Sequence, residues 1–138
     1  MVRLGQNFLS DPNLLDAIVR DAELGEEEVV LEVGAGEGVL SQRLADVAAN
    51  LHSVELDRRL EDALAPLGSR PNVSLHWGDA MRIDFTALRP PPTTVVSNLP
   101  YSVATPVILR TIEQLPSLRR WTNLGPKRSN PCRQSTTR

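Results

Sequence analysis

The chain has 138 residues, enough for one domain with a hydrophobic core, and its 41% hydrophobic content is that of a soluble globular protein. No apolar run approaches the roughly 20 residues of a membrane-spanning helix, the opening MVRLGQNFLSDP lacks an apolar leader, and the single Cys132 excludes an internal disulfide, so the expected setting is the reducing cytoplasm. The net charge of −2 hides an asymmetry: all 17 acidic residues precede position 119, the last twenty residues hold only basic charge, and an acidic body is by itself a poor nucleic-acid surface.

After the short lead LGQNFLS, Asp11-Pro12 pairs an N-cap with a first-turn proline. The following NLLDAIVRDAEL keeps apolar residues at helical spacing until Gly25, which predicts a helix over 12–24. VVLEV at 29–33 is a compact apolar strand running into Gly34. VLSQRLADVAA is an amphipathic helix, and LHSVEL at 51–56 is the second strand. DRRLEDALAPL supplies the next helix, NVSLHWGD the third strand, LRPPPTT at 88–94 a rigid loop and TTVVSN the fourth strand. A further helix is expected to restart at Thr105-Pro106, with Val107, Ile108, Ile112 and Leu115 along one face.

Strands alternating with helices predict a parallel α/β sheet with right-handed crossovers. From Trp121 onward no period survives, and WTNLGPKRSNPCRQSTTR is too polar to order itself. Residues 1–120 are therefore expected to form a partial domain, interrupted after its fourth strand, and 121–138 a disordered tail. An apolar sheet edge left open at the interruption would favour association between chains, whereas a complete domain is expected to be monomeric.

Successive strand ends carry site-like residues. Gly34, Gly36 and Gly38 follow a buried strand and precede a helix, where a tight turn lets the backbone press against a ligand. Val39 stands where a dinucleotide fingerprint needs its third glycine, which favours a nucleoside ligand without a pyrophosphate. Glu55 ends strand two, about twenty residues past the glycines, where an acid accepts ribose hydroxyls. Asp79 closes strand three at the same edge, although a helix N-cap would also explain it. Strand four ends in Asn98-Leu99-Pro100-Tyr101: a carboxamide, a fixed backbone and an aromatic ring at one strand tip, suited to something flat and polar. His52 and His76 lie on different strands with no Cys or acid at ligand spacing, so no metal site is expected, and Cys132 reads as incidental.

GQNFL, LEVGAGEGVLS, VELD, GDAMRID and NLPYSVATP, in that order, resemble the ribosomal RNA adenine N6-dimethyltransferases over roughly residues 3 to 120. The resemblance implies a Rossmann-like class I methyltransferase fold, here without the family's later strands and helical C-terminal domain. It also implies S-adenosylmethionine as cofactor and dimethylation of adjacent adenosines in small-subunit ribosomal RNA within an assembling subunit. Asn7 and Leu9 would close over the cofactor, Gly34 and Gly36 would approach its amino-acid portion, Glu55 its ribose and Asp79 its adenine amino group. Asn98 and the Leu99 or Pro100 carbonyl would accept the two hydrogens of the target N6, with Pro100 fixing the geometry and Tyr101 stacking on the base. Rival readings are a macrolide-resistance type large-subunit methyltransferase, a non-catalytic ribosome-assembly factor, and a nicotinamide-dependent dehydrogenase, which would leave Asn-Leu-Pro-Tyr without a role.

Overall fold

In the computed structural model, which describes residues 11–124, these local signals become five strands and four α-helices. Helix α1, Pro12–Asp21, starts as the sequence predicts: the Asp11 side chain accepts the Asn13 N–H at 2.9 Å and proline occupies the first turn. It stops earlier than the apolar spacing suggests, because Glu23 takes a left-handed φ of 54°. Strand β1, Val29–Val33, is buried along its whole length. Helix α2, Val39–Val47, and strand β2, Asn50–Glu55, follow, then a 3-10 turn, Arg58–Leu60, and helix α3, Glu61–Gly68. Strand β3 is Val73–Trp77, and a second 3-10 turn, Phe85–Ala87, precedes strand β4, Thr94–Ser97.

The strands lie in the order β3-β2-β1-β4 and then β5, Arg120–Asn123, with every pairing parallel. In this register Val33 pairs with Val54 and Ser97, and Ser97 pairs with Asn123, so these carboxyl ends share one edge. Two cores sandwich the sheet. On one face Leu15 and Ile18 of α1, Leu40 and Leu44 of α2 and Leu64 and Leu67 of α3 pack on Val30, Leu51 and Val96. On the other, Val107 of helix α4, Tyr101–Gln114, joins Phe85, Leu88, Leu115 and Leu118 against Leu31, Val33, Val54 and Val95.

Two expectations are corrected here. Helix α4 does not restart at Thr105-Pro106 but begins at Tyr101, with Pro106 inside it. That proline cannot bond the Ser102 carbonyl, and both residues lie on the exposed face, where water replaces the missing donor. The sheet does not stop at four strands either, because Trp121, Thr122 and Asn123 belong to β5. Trp121 packs on the second core and Thr122 is buried. At the opposite strand ends Arg119 donates to Glu28 Oε2 at 2.8 Å, and Glu28 Oε1 accepts the Thr93 hydroxyl at 2.5 Å, tying the starts of β1, β4 and β5 together. The rest of the expected tail, 125–138, lies outside the described residues.

His52 and His76 lie on different strands, as read, but β2 and β3 are neighbours and bring the two rings together. His52 Nε2 lies 3.0 Å from the Pro90 carbonyl, which can only accept, so His52 Nδ1 is the acceptor for the His76 Nε2–H, also at 3.0 Å. Burial lowers the pKa of both rings; the Pro90 bond opposes this for His52, and the neighbouring His52 adds to it for His76. With folded-state values below the unfolded ones, the stabilisation is present above the ordinary histidine pKa and is lost as pH falls through the folded values. Relative to His52→Gln, the wild-type chain should therefore lose melting temperature between about pH 7 and pH 5. Thermal denaturation of both across that range measures it, and a pH-independent difference would remove the pair from the protein's acid response.

Candidate active site

β1 and β4 are neighbours, yet the chain leaves β1 for α2 on one face and β4 for α4 on the other, opening a crevice between their carboxyl ends. The glycine turn forms one wall, with Gly34, Gly36 and Gly38 at φ of 90°, 60° and 91°. At Gly34 the requirement is double: besides the left-handed backbone, a Cβ would come within 3.2 Å of Leu99 Cδ2 and 3.8 Å of the Asn98 carbonyl oxygen. The turn and the Asn98–Tyr101 segment are thus in van der Waals range across the crevice.

Glu55 stands beside the turn. Its Oε1 accepts the Gly36 N–H and its Oε2 the Asp57 N–H, each at 2.9 Å, which fixes the carboxylate at the end of β2 with lone pairs to spare. Asp79 does not end β3, which stops at Trp77; it opens the following turn. Its Oδ1 accepts the Met81 N–H at 2.9 Å in a local turn, not the helix N-cap weighed from the sequence since no helix starts there, and leaves Oδ2 3.8 Å from Arg82 Nε. Two large apolar side chains missed by the sequence reading flank these acids: Leu56 is 66% exposed and Met81 42% exposed. The signal was available, since each lies within two residues of its acid.

Glu32 was also missed, although an acid within VVLEV is conspicuous. Its side chain is fully buried and accepts the hydroxyls of Ser41 on α2 at 2.5 Å and Ser53 on β2 at 2.6 Å. Desolvation, only partly offset by those two bonds and reinforced by Glu55, raises its pKa to about 7. This carboxyl pins the helix after the glycine turn to the two strands beneath it.

The fourth strand end holds the groups expected from the sequence to act as acceptors. The Asn98 N–H reaches the Val33 carbonyl at 3.4 Å, prolonging the β1–β4 pairing, and its side chain is half-buried. The Pro100 carbonyl accepts the N–H groups of Val103 and Ala104 at 2.9 and 2.8 Å and so belongs to the first turn of α4. The Leu99 backbone is held by a side chain from β5: Asn123 Oδ1 accepts the Leu99 N–H at 3.3 Å and the Ser97 hydroxyl at 2.8 Å, and Asn123 Nδ2 donates to the Leu99 carbonyl at 3.2 Å. Tyr101, 42% exposed, opens α4 beside this loop. Sequence reasoning had placed Asn123 in the tail.

Asn7 and Leu9 lie outside the described residues, as does Cys132. Among the described residues no group of three or more His, Cys, Asp or Glu is placed to hold a metal ion, and no helix is long and apolar enough to cross a membrane. A separate hollow of about 600 Å³, lined by Phe85, Leu88, Pro91, Gln114 and Leu115, lies toward the amino ends of β4 and β5, away from these groups.

A parallel sheet in this order, with a glycine turn after β1 and an acid ending β2, is a Rossmann-like fold, the architecture that class I methyltransferases share. An RNA methyltransferase from Salinibacter ruber, solved with S-adenosyl-L-homocysteine, shares the fold with a TM-score of 0.66 at 21% identity, over 82% of this chain and 74% of that one. The 23S rRNA methyltransferase ErmE has a TM-score of 0.66 at 31% identity, over 82% of this chain and 45% of that one. The family model described as ribosomal RNA adenine dimethylase matches residues 2–127, through β5 and past the boundary expected at 120. The ribosomal RNA small subunit methyltransferase A of Rubrobacter xylanophilus is 45% identical over 119 residues, covering 86% of this chain and 45% of that protein. The chain belongs to the ribosomal RNA adenine dimethylase family. It spans about half the length of the curated relatives it matches.

Glu32 gives this site a measurable pH signature. Because its folded-state pKa lies above the unfolded value, the stability held by the protonated form is complete below the ordinary value of 4.5 and is lost as pH rises through about 7. Glu32→Gln mimics the neutral acid, so it should match the wild type near the acid end. By about pH 8 it should exceed it by up to about 3 kcal/mol. Urea unfolding of both chains across the range checks this, and parallel curves would contradict it.

Proposed function

We propose that this chain carries the S-adenosylmethionine site and the adenine acceptor site of an rRNA adenine N6-methyltransferase. In this reading the enzyme dimethylates adjacent adenosines of small-subunit RNA in an assembling subunit in the cytoplasm. The observation that carries the reading is the contact of Gly34 with the Asn98-Leu99 segment, which brings a cofactor turn and two candidate N6 acceptors to one crevice. The donor set fits the cofactor: the left-handed Gly34–Gly38 turn exposes backbone at the crevice, and Glu55 is held beside it with free acceptor capacity.

S-adenosylmethionine supplies an electrophilic methyl group on a sulfonium; the chain's residues do the rest. Glu55 accepts the ribose hydroxyls, and Asp79 accepts the cofactor's adenine amino group between the apolar surfaces of Leu56 and Met81. By the family resemblance, Asn7 and Leu9 also belong to the cofactor's contacts. An adenine N6 is a poor nucleophile while its lone pair is delocalised into the ring. Asn98 Oδ1 and the Leu99 carbonyl accept its two hydrogens, favouring a tetrahedral nitrogen with the lone pair aimed at the methyl group. Leu99 is preferred over Pro100 because the Pro100 carbonyl is already taken by two N–H groups of α4, whereas the Leu99 carbonyl is steadied by Asn123 and keeps a lone pair. Tyr101 stacks on the base drawn out of its RNA stack. The methylated nitrogen sheds its proton to water, and no strong base is required.

The similarity to ErmE supports large-subunit rRNA as an alternative target, while the 45% identity to a small-subunit enzyme favours the first reading. Titration calorimetry on the chain should show S-adenosylhomocysteine binding and no comparable binding of NAD, and Glu55→Ala should weaken it about tenfold. Joined to the C-terminal part of a full-length relative, the chain should methylate immature small subunits. There Asn98→Ala should slow transfer by about 10²–10³ at little cost in cofactor affinity. Preferential binding of NAD, or unchanged turnover of the Asn98 variant, would overturn the corresponding assignment.

A further inference from the structure

Helix α4 begins at the acceptor loop and, farther along, grips the turn after β3. Arg110 Nη1 donates to two carbonyls of that turn, Ala80 at 3.0 Å and Ile83 at 2.7 Å. Its guanidinium carbon lies 5.4 Å from the centroid of the Phe85 ring, which fixes its plane. One turn further, Gln114 Oε1 accepts the Phe85 N–H at 2.8 Å. The turn closes on Asp79 itself, whose carbonyl accepts the N–H groups of Arg82 and Ile83 at 2.8 and 3.0 Å while its side chain caps Met81. Two carbonyl dipoles converging on one point repel each other, and a half-buried cation between them converts that repulsion into two charge-assisted bonds.

We propose that Arg110 is a positioning residue for the cofactor's adenine: by gathering the Ala80 and Ile83 carbonyls onto α4 it fixes the Asp79 turn relative to the helix that starts at Tyr101. The inference rests on reading the carboxyl edge as the S-adenosylmethionine site and adds a residue that touches neither cofactor nor base. Its consequence is selectivity. An Asp79 carboxylate held in place accepts from a 6-amino purine and repels a 6-oxo purine, whereas a loosened turn lets it swing away from either.

The test is calorimetric titration of the chain with S-adenosylhomocysteine and with S-inosylhomocysteine, which carries oxygen in place of the amino group. The wild type should prefer the adenosyl ligand at least about tenfold. Arg110→Gln should bind it about tenfold more weakly and lose most of the preference, with its melting transition retained. Arg110→Lys keeps the charge but lacks the planar fork, so it should be intermediate and show faster amide hydrogen exchange at Met81–Ile83 than the wild type. A folded Arg110→Gln chain with the wild-type preference overturns the proposal. Should Arg110→Gln fail to fold, wild-type preference and exchange in Arg110→Lys overturn it instead. A wild-type chain that binds neither ligand overturns the cofactor reading and this inference together, whereas one that binds S-adenosylhomocysteine in the absence of any Arg110 effect leaves the cofactor reading standing alone.

Discussion

The contact between the Gly34 backbone and Leu99 is the constraint on which the rest of the site depends. Parallel neighbours whose connections depart to opposite faces leave a gap that no secondary structure fills. The gap stays narrow here because β1 carries no side chain at its exit; a larger residue would strain the left-handed backbone and press on the Leu99 side chain. The pairing of β1 with β4, from Val30–Thr94 to Val33–Ser97, sets the height at which the two exits meet. Glu55 is aimed by the glycine turn, and Asn98 is an extension of the β1–β4 ladder. Each chemical group therefore inherits its place from the backbone of the central strands.

Polar groups along the sheet, at both ends of its strands, are held in satisfied sets. Among the described residues no buried side-chain nitrogen or oxygen lacks a partner. Glu32 with Ser41 and Ser53, Glu28 with Thr93 and Arg119, and His52 with His76 and Pro90 each link elements distant in sequence. Such sets add little net stability compared with an apolar core. Their effect is on register: a strand slipped by one residue would leave a buried carboxyl or imidazole unpaired, at a cost of several kcal/mol.

The central strands were legible because burial on both faces demands continuous apolar runs, as in VVLEV, and the glycine turn because a positive φ and a close approach select one residue type. What failed to show was non-local. Arg-Trp-Thr-Asn has no apolar run and becomes β5 through pairing with β4 and through Trp121 packing on the second core. The start of α4 was obscured by Pro106, normally a boundary, which is tolerated because the carbonyl it leaves unbonded faces water. Of the acids assigned from sequence, Glu55 stands at its strand end, while Asp79 sits two residues beyond, since β3 ends at Trp77. Glu32 was readable as an acid in an apolar strand, but its partners on α2 and β2 were not.

The Asn123 clamp orders events in time. Its side chain reaches back 24 residues to Leu99, whereas the glycine turn and Glu55 find each other within 19 residues. A chain emerging from the ribosome exposes its amino-terminal segments first. The glycine turn and Glu55 are therefore synthesised before the residue that braces the Leu99 loop, and a nascent chain released before residue 123 would hold one wall of the crevice without the clamp on the other.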